Sequence, residues 1–356
     1  MRILIAPDKF KGSLDARAVA ENIAIGLREV VPEAIIQLLP IADGGEGTVA
    51  AIHEAAGGEW ITCPAHDALG RSLEARYSWL ADRSTAVMEM SEAAGLWRIG
   101  QGERDLLAAN TYGVGQMISD AIDRKAEEIV IGLGGSATND GGVGMALALG
   151  FRLLKDRDEL RSIVRPERTF PKITAAVDVR NPLLGSRGAT RTFGPQKGGT
   201  PEQLELLEQR LERLAEVVAR DLGCDFRDVP GAGAAGGLGF GLMSFCGAEL
   251  KSGFEVVSEF TGLPEAIRQS DVVITGEGRL DEQTLEGKAP SGVARLAREA
   301  GKRVFAIAGS ASESPTVRAL FEGVLVLAQP PITSDESKAR AAELLQERAR
   351  ELARMM

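Results

Sequence analysis

One stretch constrains this chain more than any other: EIVIGLGGSATNDGGVGMALALG, residues 128–150. Ile129, Val130, Ile131 and Leu133 form a short apolar run of the kind that makes a buried strand. The run breaks into Gly134, Gly135, Ser136, Ala137, Thr138, Asn139, Asp140, Gly141 and Gly142, then resumes as a helical pattern through Val143, Met145, Ala146, Leu147 and Leu149. A strand that feeds a glycine-rich loop opening a helix is how α/β proteins build anion sites. Glycines let backbone N–H groups converge on an oxyanion, and the helix N-terminus adds a favourable dipole. Ser136, Thr138 and Asn139 add side-chain donors, and Asp140 supplies a carboxylate able to hold a metal. The bland reading is a tight βα turn, since glycine is abundant here, 42 of 356 residues. Four glycines, two hydroxyls and an Asn-Asp pair within nine residues favour the anion site, with a nucleotide phosphate as the expected ligand.

At 356 residues the chain is long enough for two cores. Its net charge of -10 argues against a nucleic-acid groove, which needs a basic face. No apolar run approaches a membrane span. The opening MRILIAPDKF reads as a strand entering a loop rather than as a secretory signal. Cys63, Cys224 and Cys246 are odd in number and widely spaced, which suits reduced thiols, so a cytoplasmic protein is expected. Only His53 and His66 are present, which excludes a multi-histidine metal site. Acid–base chemistry therefore falls mostly to Asp, Glu and Lys.

Strand-like and helix-like runs alternate throughout, which predicts an α/β fold. Residues 3–6 form a strand, followed by a helix carrying Val19, Ile23, Leu27 and Val30 on one face. Residues 35–39 form a second strand. Residues 60–64, 73–80 and 86–90 read as strands with no helix between them, an antiparallel patch. Residues 173–177 make a buried strand ending at Asp178, and Thr200-Pro201-Glu202-Gln203 is a capping box that starts a long helix. Alternation returns at 272–274, 304–307 and 324–327. A closing helix from Thr333 presents Leu344, Leu345, Leu352 and Met355 to the core. The expected architecture is a discontinuous Rossmann- or flavodoxin-like domain from residues 1–60 and 265–356. A mixed α/β domain, 61–264, is inserted in it, and the active site is expected in the cleft between the two.

Four further loops follow strands and carry unusual polar sets. APDKFKGSL brings Asp8, Lys9, Lys11 and Ser13; lysines there suit a carboxylate or phosphate, or the loop is solvated and Ser13 or Asp15 caps the next helix. PIADGGEGT places Asp43 and Glu46 among glycines, where they either coordinate Mg²⁺ or serve a helix start. In AAVDVRNPLLG, Asp178 at a strand end suits a general base, and downstream TFGPQKGG offers Gln196 and Lys197. TGEGRLDEQTLEGK sets Glu277 between two glycines, with Asp281, Gln283 and Lys288 close behind.

The P-loop pattern and the G-x-S-x-G elbow are both absent from the sequence. Gly231, Gly233 and Gly236 do form G-x-G-x-x-G, but the preceding CDFRDV makes a poor strand, so close helix packing or a substrate loop is the expected use.

Taken together, APDKFKGSL, PIADGGEGT, NTYGVG, GLGGSATNDGG, VDVRNPLLG, FGPQKG, PGAGAAGGLGFGL and TGEGRLDEQTLEGK resemble, in order and nearly end to end, the bacterial two-domain glycerate kinase family. Lys9 stands where many members carry serine, so Lys9 carries less weight than Lys11 in that loop. It implies ATP- and Mg²⁺-dependent phosphorylation of D-glycerate, giving 2-phosphoglycerate in many members. On this reading residues 134–142, including Gly134, Gly135, Ser136, Ala137, Thr138, Asn139 and Gly141, cradle the ATP phosphates. Asp8, Lys11 and Ser13 face the substrate, and Lys197 and Lys288 steady the migrating charge. Asp43 or Asp178 takes the hydroxyl proton, with Asp178 favoured, and Asp140, Glu46 and Glu277 are the Mg²⁺ candidates. The partners are then D-glycerate and ATP, with no nucleic acid or membrane and a monomer or homodimer as the assembly. Two rivals stand beside this: a nicotinamide-dependent oxidoreductase of a small hydroxy acid built on the Gly231 motif, and a non-catalytic small-acid binder.

Overall fold

The computed structural model describes residues 1–41, 48–157, 159–282, 284, 288–329 and 332–356. The chain forms two compact units, Met1–Asp43 with Phe254–Met356, and Gly44–Gly253. The sequence pattern set these boundaries near 60 and 265. The helix Thr48–Ala56 moves the first, because it packs on strands of the second unit. The second moves because the Phe254 ring fills the space beside Gly292 in the first unit, where a Cβ would lie 2.3 Å from the ring.

The N-terminal strands are β1 (Arg2–Ile5) and β2 (Ile35–Leu38). The second unit holds β3 (Glu59–His66), β4 (Ser72–Leu80), β5 (Thr85–Glu89), β6 (Glu128–Gly132), β7 (Arg152–Asp156), β8 (Glu159–Val164), β9 (Lys172–Ala176) and β10 (Glu249–Lys251). The chain then returns to the first unit with β11 (Val272–Thr275), β12 (Arg279–Leu280), β13 (Arg303–Ala308), β14 (Ser310–Ala311) and β15 (Gly323–Val326).

In the first unit a parallel sheet runs in the order β15-β13-β11-β1-β2, with Ile3 paired to Val272 and Val273 to Val304. Read from the other edge this is the 2-1-3-4-5 order of flavodoxin-like folds, whose ligands bind outside the carboxyl ends of the strands where the winding reverses. That reversal lies between β1 and β11. Ile3, Leu4 and Ile5 are all buried, as a strand covered on both faces requires. Asp15 caps the helix Ala16–Val30 by accepting from Ala18 N at 2.8 Å. Val19, Ile23 and Leu27 on that helix share a core with Leu344, Leu345 and Leu352. Gly26 permits the close crossing, since a Cβ there would lie 2.3 Å from Gln346 O. The expected closing helix is two, Ser334–Ala339 and Ala341–Ala353, and Met355 lies beyond them, half exposed rather than in the core.

In the second unit a mixed sheet runs in the order β10-β9-β6-β5-β4-β3. β3, β4 and β5 pair antiparallel, the predicted patch, while β5, β6, β9 and β10 are parallel. The capping box forms as read: Gln203 N donates to Thr200 Oγ1 at 3.3 Å and Thr200 N to Gln203 Oε1 at 3.0 Å. It starts the helix Pro201–Leu222, which buries Leu204, Leu207, Leu211, Leu214 and Val218. Cys63, Cys224 and Cys246 form no disulfides. Among the described residues no helix is long and apolar enough to cross a membrane.

Candidate active site

The parallel pairing aligns Glu89 with Gly132 and Gly132 with Ala176, so β5, β6 and β9 end at one edge of the sheet. The loops that leave them share that edge. The loop after β6 turns only its first part outward: Gly134 and Gly135 are exposed, whereas Ser136, Thr138 and Asn139 are buried. A cavity of about 250 Å³ opens beside them, lined by Gly134, Gly135, Ser136, Asp178, Gln196 and Lys197. Three segments that are far apart in the chain, 134–136, 178 and 196–197, thus meet around one space.

Lys197 is only 3% exposed and donates from Nζ to Ser136 Oγ and to Thr138 O, each at 2.7 Å. Burial pushes its ammonium down to about 7, against the opposing pull of the Asp140 charge. An ammonium has three N–H groups, and two of them are committed to the loop. Asp178 holds its place by accepting from Gly253 N at 3.2 Å through Oδ1.

Asp140, a metal candidate in the sequence, is held by its own chain. Its Oδ2 accepts from Thr111 N, Thr111 Oγ1 and Gly144 N, each at 2.9 Å, and its Oδ1 from Gly142 N at 3.1 Å. The carboxylate therefore occupies the N-terminus of the six-residue helix Val143–Ala148, the end that the sequence pattern offered to an external anion. A carboxylate just before a helix is the usual ligand of those orphan N–H groups. Thr138 and Asn139 likewise turn inward: Thr138 Oγ1 donates to Ala235 O at 3.4 Å and Asn139 Nδ2 to Thr190 Oγ1 at 3.0 Å. Of the loop's side-chain donors, Ser136 is the one that lines the cavity.

The G-x-G-x-x-G segment props this loop from behind. No strand leads into it among the described residues, and Gly141 N donates to Gly236 O at 3.0 Å. Ala235, Gly236 and Gly237 are all left-handed, with φ of 53°, 68° and 88°. A Cβ on Gly236 would sit 1.9 Å from Thr138 O. Gly236→Ala is therefore expected to cost about 3 kcal/mol or more of stability, read by chemical denaturation. A variant as stable as the wild type would show that the two loops separate easily.

In the first unit, the loops after β1 and β11 lie at the winding reversal. Asp8 N donates to Gly276 O at 2.8 Å, which ties them together, and the buried Asp8 carboxylate accepts from Lys9 N at 2.6 Å. A cavity of about 300 Å³ is lined by Lys11, Ser13, Arg279, Ser310 and Lys338. It brings together the predicted pair Lys11 and Ser13 and adds two cations that the sequence reading passed over. Arg279 stands inside a recognised motif, but Lys338 sits on an ordinary amphipathic helix with no local signal. Glu277, also buried, accepts from Thr284 Oγ1 at 2.7 Å and lies 3.8 Å from Lys288 Nζ. Asp43 and Glu46 fall outside the described residues, and among those described no cluster of three or more His, Cys, Asp or Glu could hold a metal.

The model of the Gly_kinase family, described as the glycerate kinase family, matches residues 3–356. The chain belongs to the glycerate kinase family. A glycerate kinase of Halalkalibacterium halodurans is 43% identical, with 99% of this chain and 97% of that one covered. A glycerate 2-kinase of Escherichia coli is 44% identical over 88% of this chain and 86% of its own. A crystal structure of a glycerate kinase 2 from Salmonella typhimurium LT2 superposes with a TM-score of 0.89 at 41% identity, covering 100% of this chain and 98% of that one. As a glycerate kinase family member the chain is an enzyme, which sets aside the non-catalytic binder, and the buttressing role of the Gly231 segment leaves the oxidoreductase without its motif.

Proposed function

We propose that this enzyme transfers the γ-phosphoryl group of ATP to D-glycerate and releases 2-phosphoglycerate. The observation that carries the reading is the convergence of Gly134, Gly135, Ser136, Lys197 and Asp178 on one cavity at the carboxyl edge of a parallel sheet. Phosphoryl transfer asks little covalent chemistry of a protein: it needs charge neutralised, the donor held close, and the attacking hydroxyl oriented. Gly134 and Gly135 let a polyphosphate approach the backbone. The third N–H of the Lys197 ammonium meets a phosphoryl oxygen. Asp178 accepts the proton of the attacking hydroxyl. Lys11 and Ser13, with Arg279 and Lys338, bind the substrate's negative charge, and Lys288 steadies the migrating charge.

Mg²⁺ takes one or two carboxylates and fills its shell with phosphate oxygens and water. Asp140, whose oxygens already accept four hydrogen bonds, meets that demand poorly, and Glu277 is the other candidate among the described residues. Asp43 and Glu46 remain candidates on sequence grounds. When bound, the ion would neutralise charge on the β- and γ-phosphates.

The test is ADP release from Mg-ATP across a panel of small hydroxy acids, with the product read by phosphorus NMR. D-Glycerate is expected to turn over fastest, with the phosphate on the 2-oxygen. No ADP release with D-glycerate overturns the reading, and a 3-phosphate product overturns its regiochemistry.

A further inference from the structure

A second cavity, of about 530 Å³, lies on the β5 side of the same loop and is lined by Trp60, Arg76, Glu89, Glu92, Trp97 and the Gly134-Gly135 pair. Gly134, Gly135 and Leu96 line both cavities, so the two adjoin across the exposed glycines. We propose that this larger cavity holds the nucleobase of the phosphoryl donor and that Trp97 is the side chain on which the base stacks. The inference rests on the proposed use of a nucleoside triphosphate, and locates the half of that molecule that takes no part in the chemistry.

Three observations point the donor this way round. The first is electrostatic. The larger cavity's charges are balanced, Glu92 being paired with Arg76 at 3.7 Å and with Arg98 at 3.2 Å beside Glu89, whereas the smaller one carries the buried cation Lys197. A triphosphate therefore runs towards Lys197, and the uncharged base is left on the side where the charges are already paired. The second is size, since about 530 Å³ accommodates a base and ribose, which the smaller space of about 250 Å³ does not do while also admitting a polyphosphate.

The third is the indole itself. Trp97 is 66% exposed, an unusual position for a large aromatic ring on a turn of three residues. That turn is fastened to the glycine loop: Leu96 N donates to Gly135 O at 2.8 Å, and Ala137 N to Ala94 O at 2.9 Å. The Arg98 guanidinium lies 4.2 Å from the Trp97 ring centre and bonds Glu92 at 3.2 Å, which steadies one side of the indole. Gly95 is required beside it, because a Cβ there would fall 2.7 Å from Trp97 Nε1. Trp60 is the poorer platform: His53 stacks on it at 4.3 Å and the Arg76 guanidinium lies 4.5 Å from its ring. The geometry thus presents one ring, held at a fixed offset from the backbone that meets the phosphates.

The experiment compares wild type, Trp97→Ala and Trp97→Phe. Loss of a base–aromatic stack is expected to raise the KM for ATP roughly 10-fold or more in Trp97→Ala, with the KM for D-glycerate unchanged and kcat within about 3-fold. Trp97→Phe, which keeps a ring, should recover most of the affinity. Independently of turnover, adenosine should quench wild-type tryptophan fluorescence, and the quench should shrink in Trp97→Phe, where Trp60 is the one tryptophan left on the cavity wall. An ATP KM in Trp97→Ala equal to wild type, or an adenosine quench undiminished in Trp97→Phe, overturns the assignment. An enzyme that binds adenosine through Trp97 but releases no ADP with D-glycerate would keep the base site and sink the kinase reaction instead.

Discussion

Lys197→Met is expected to lower kcat by roughly 100- to 1,000-fold, the usual cost of removing one preorganised donor from a developing negative charge. Methionine fills the same buried space, so the loss should appear with the fold intact, as read by circular dichroism. The Lys197 ammonium is pushed down to about 7 from 10.5 by burial, and the sign of its pH dependence follows. Between those values the unfolded chain holds a proton that the folded chain has released. Stability from this group is therefore lowest below pH 7 and rises as the pH climbs towards 10.5. Thermal melts should show the wild type gaining on Lys197→Met between pH 7 and 9. In kinetics the reverse limb is expected: kcat/KM for ATP falls as the pH rises through about 7, because the neutral amine no longer attracts phosphate, and the variant lacks that limb. A melting difference that stays flat from pH 6 to 9 would show that Lys197 is not titrating in this range.

Asp178→Asn is expected to reduce kcat by about 100- to 10,000-fold, the range for loss of a positioned general base. The amide keeps an oxygen where Oδ1 accepts from Gly253 N at 3.2 Å, so the strand end should hold its shape. The KM for ATP should move little, which separates loss of a base from loss of a phosphate contact. Near-normal turnover in Asp178→Asn would remove Asp178 as base and transfer the role to Asp43, for which Asp43→Asn is the matching measurement.

Much of the fold was legible because buried strands and amphipathic helices carry their period in the chain. Residues 3–6, 173–177 and 304–307 read as strands from apolar runs alone, and Thr200 with Gln203 fixed the start of the helix Pro201–Leu222. The misreadings came where local pattern and tertiary partner disagree. Met355 has the spacing of a core residue, yet it lies past the end of the helix Ala341–Ala353. The helix Thr48–Ala56 looks like part of the first unit, yet its apolar face finds its cover in the second. Spacing states that a face is apolar and does not state which sheet will cover it.

The candidate site divides in the same way. Glycines, lysines and carboxylates following strands marked the loops, because only loops at strand ends can offer so many polar groups and turns at once. The chain alone thus marked the segments proposed to carry chemistry, and its ordered motifs pointed to the family. Tertiary structure decided which partners and how much burial each residue has there. Asp140 is a free carboxylate in the sequence, and only the arrival of Thr111 beside its own helix commits it to capping. Lys197 stands in the sequence as one lysine on a Gly/Pro-rich loop, and only its contacts with the loop after β6 bury it and strip its solvent away. Hydrogen-bond partners and desolvation depend on residues distant in sequence, and no local pattern records them.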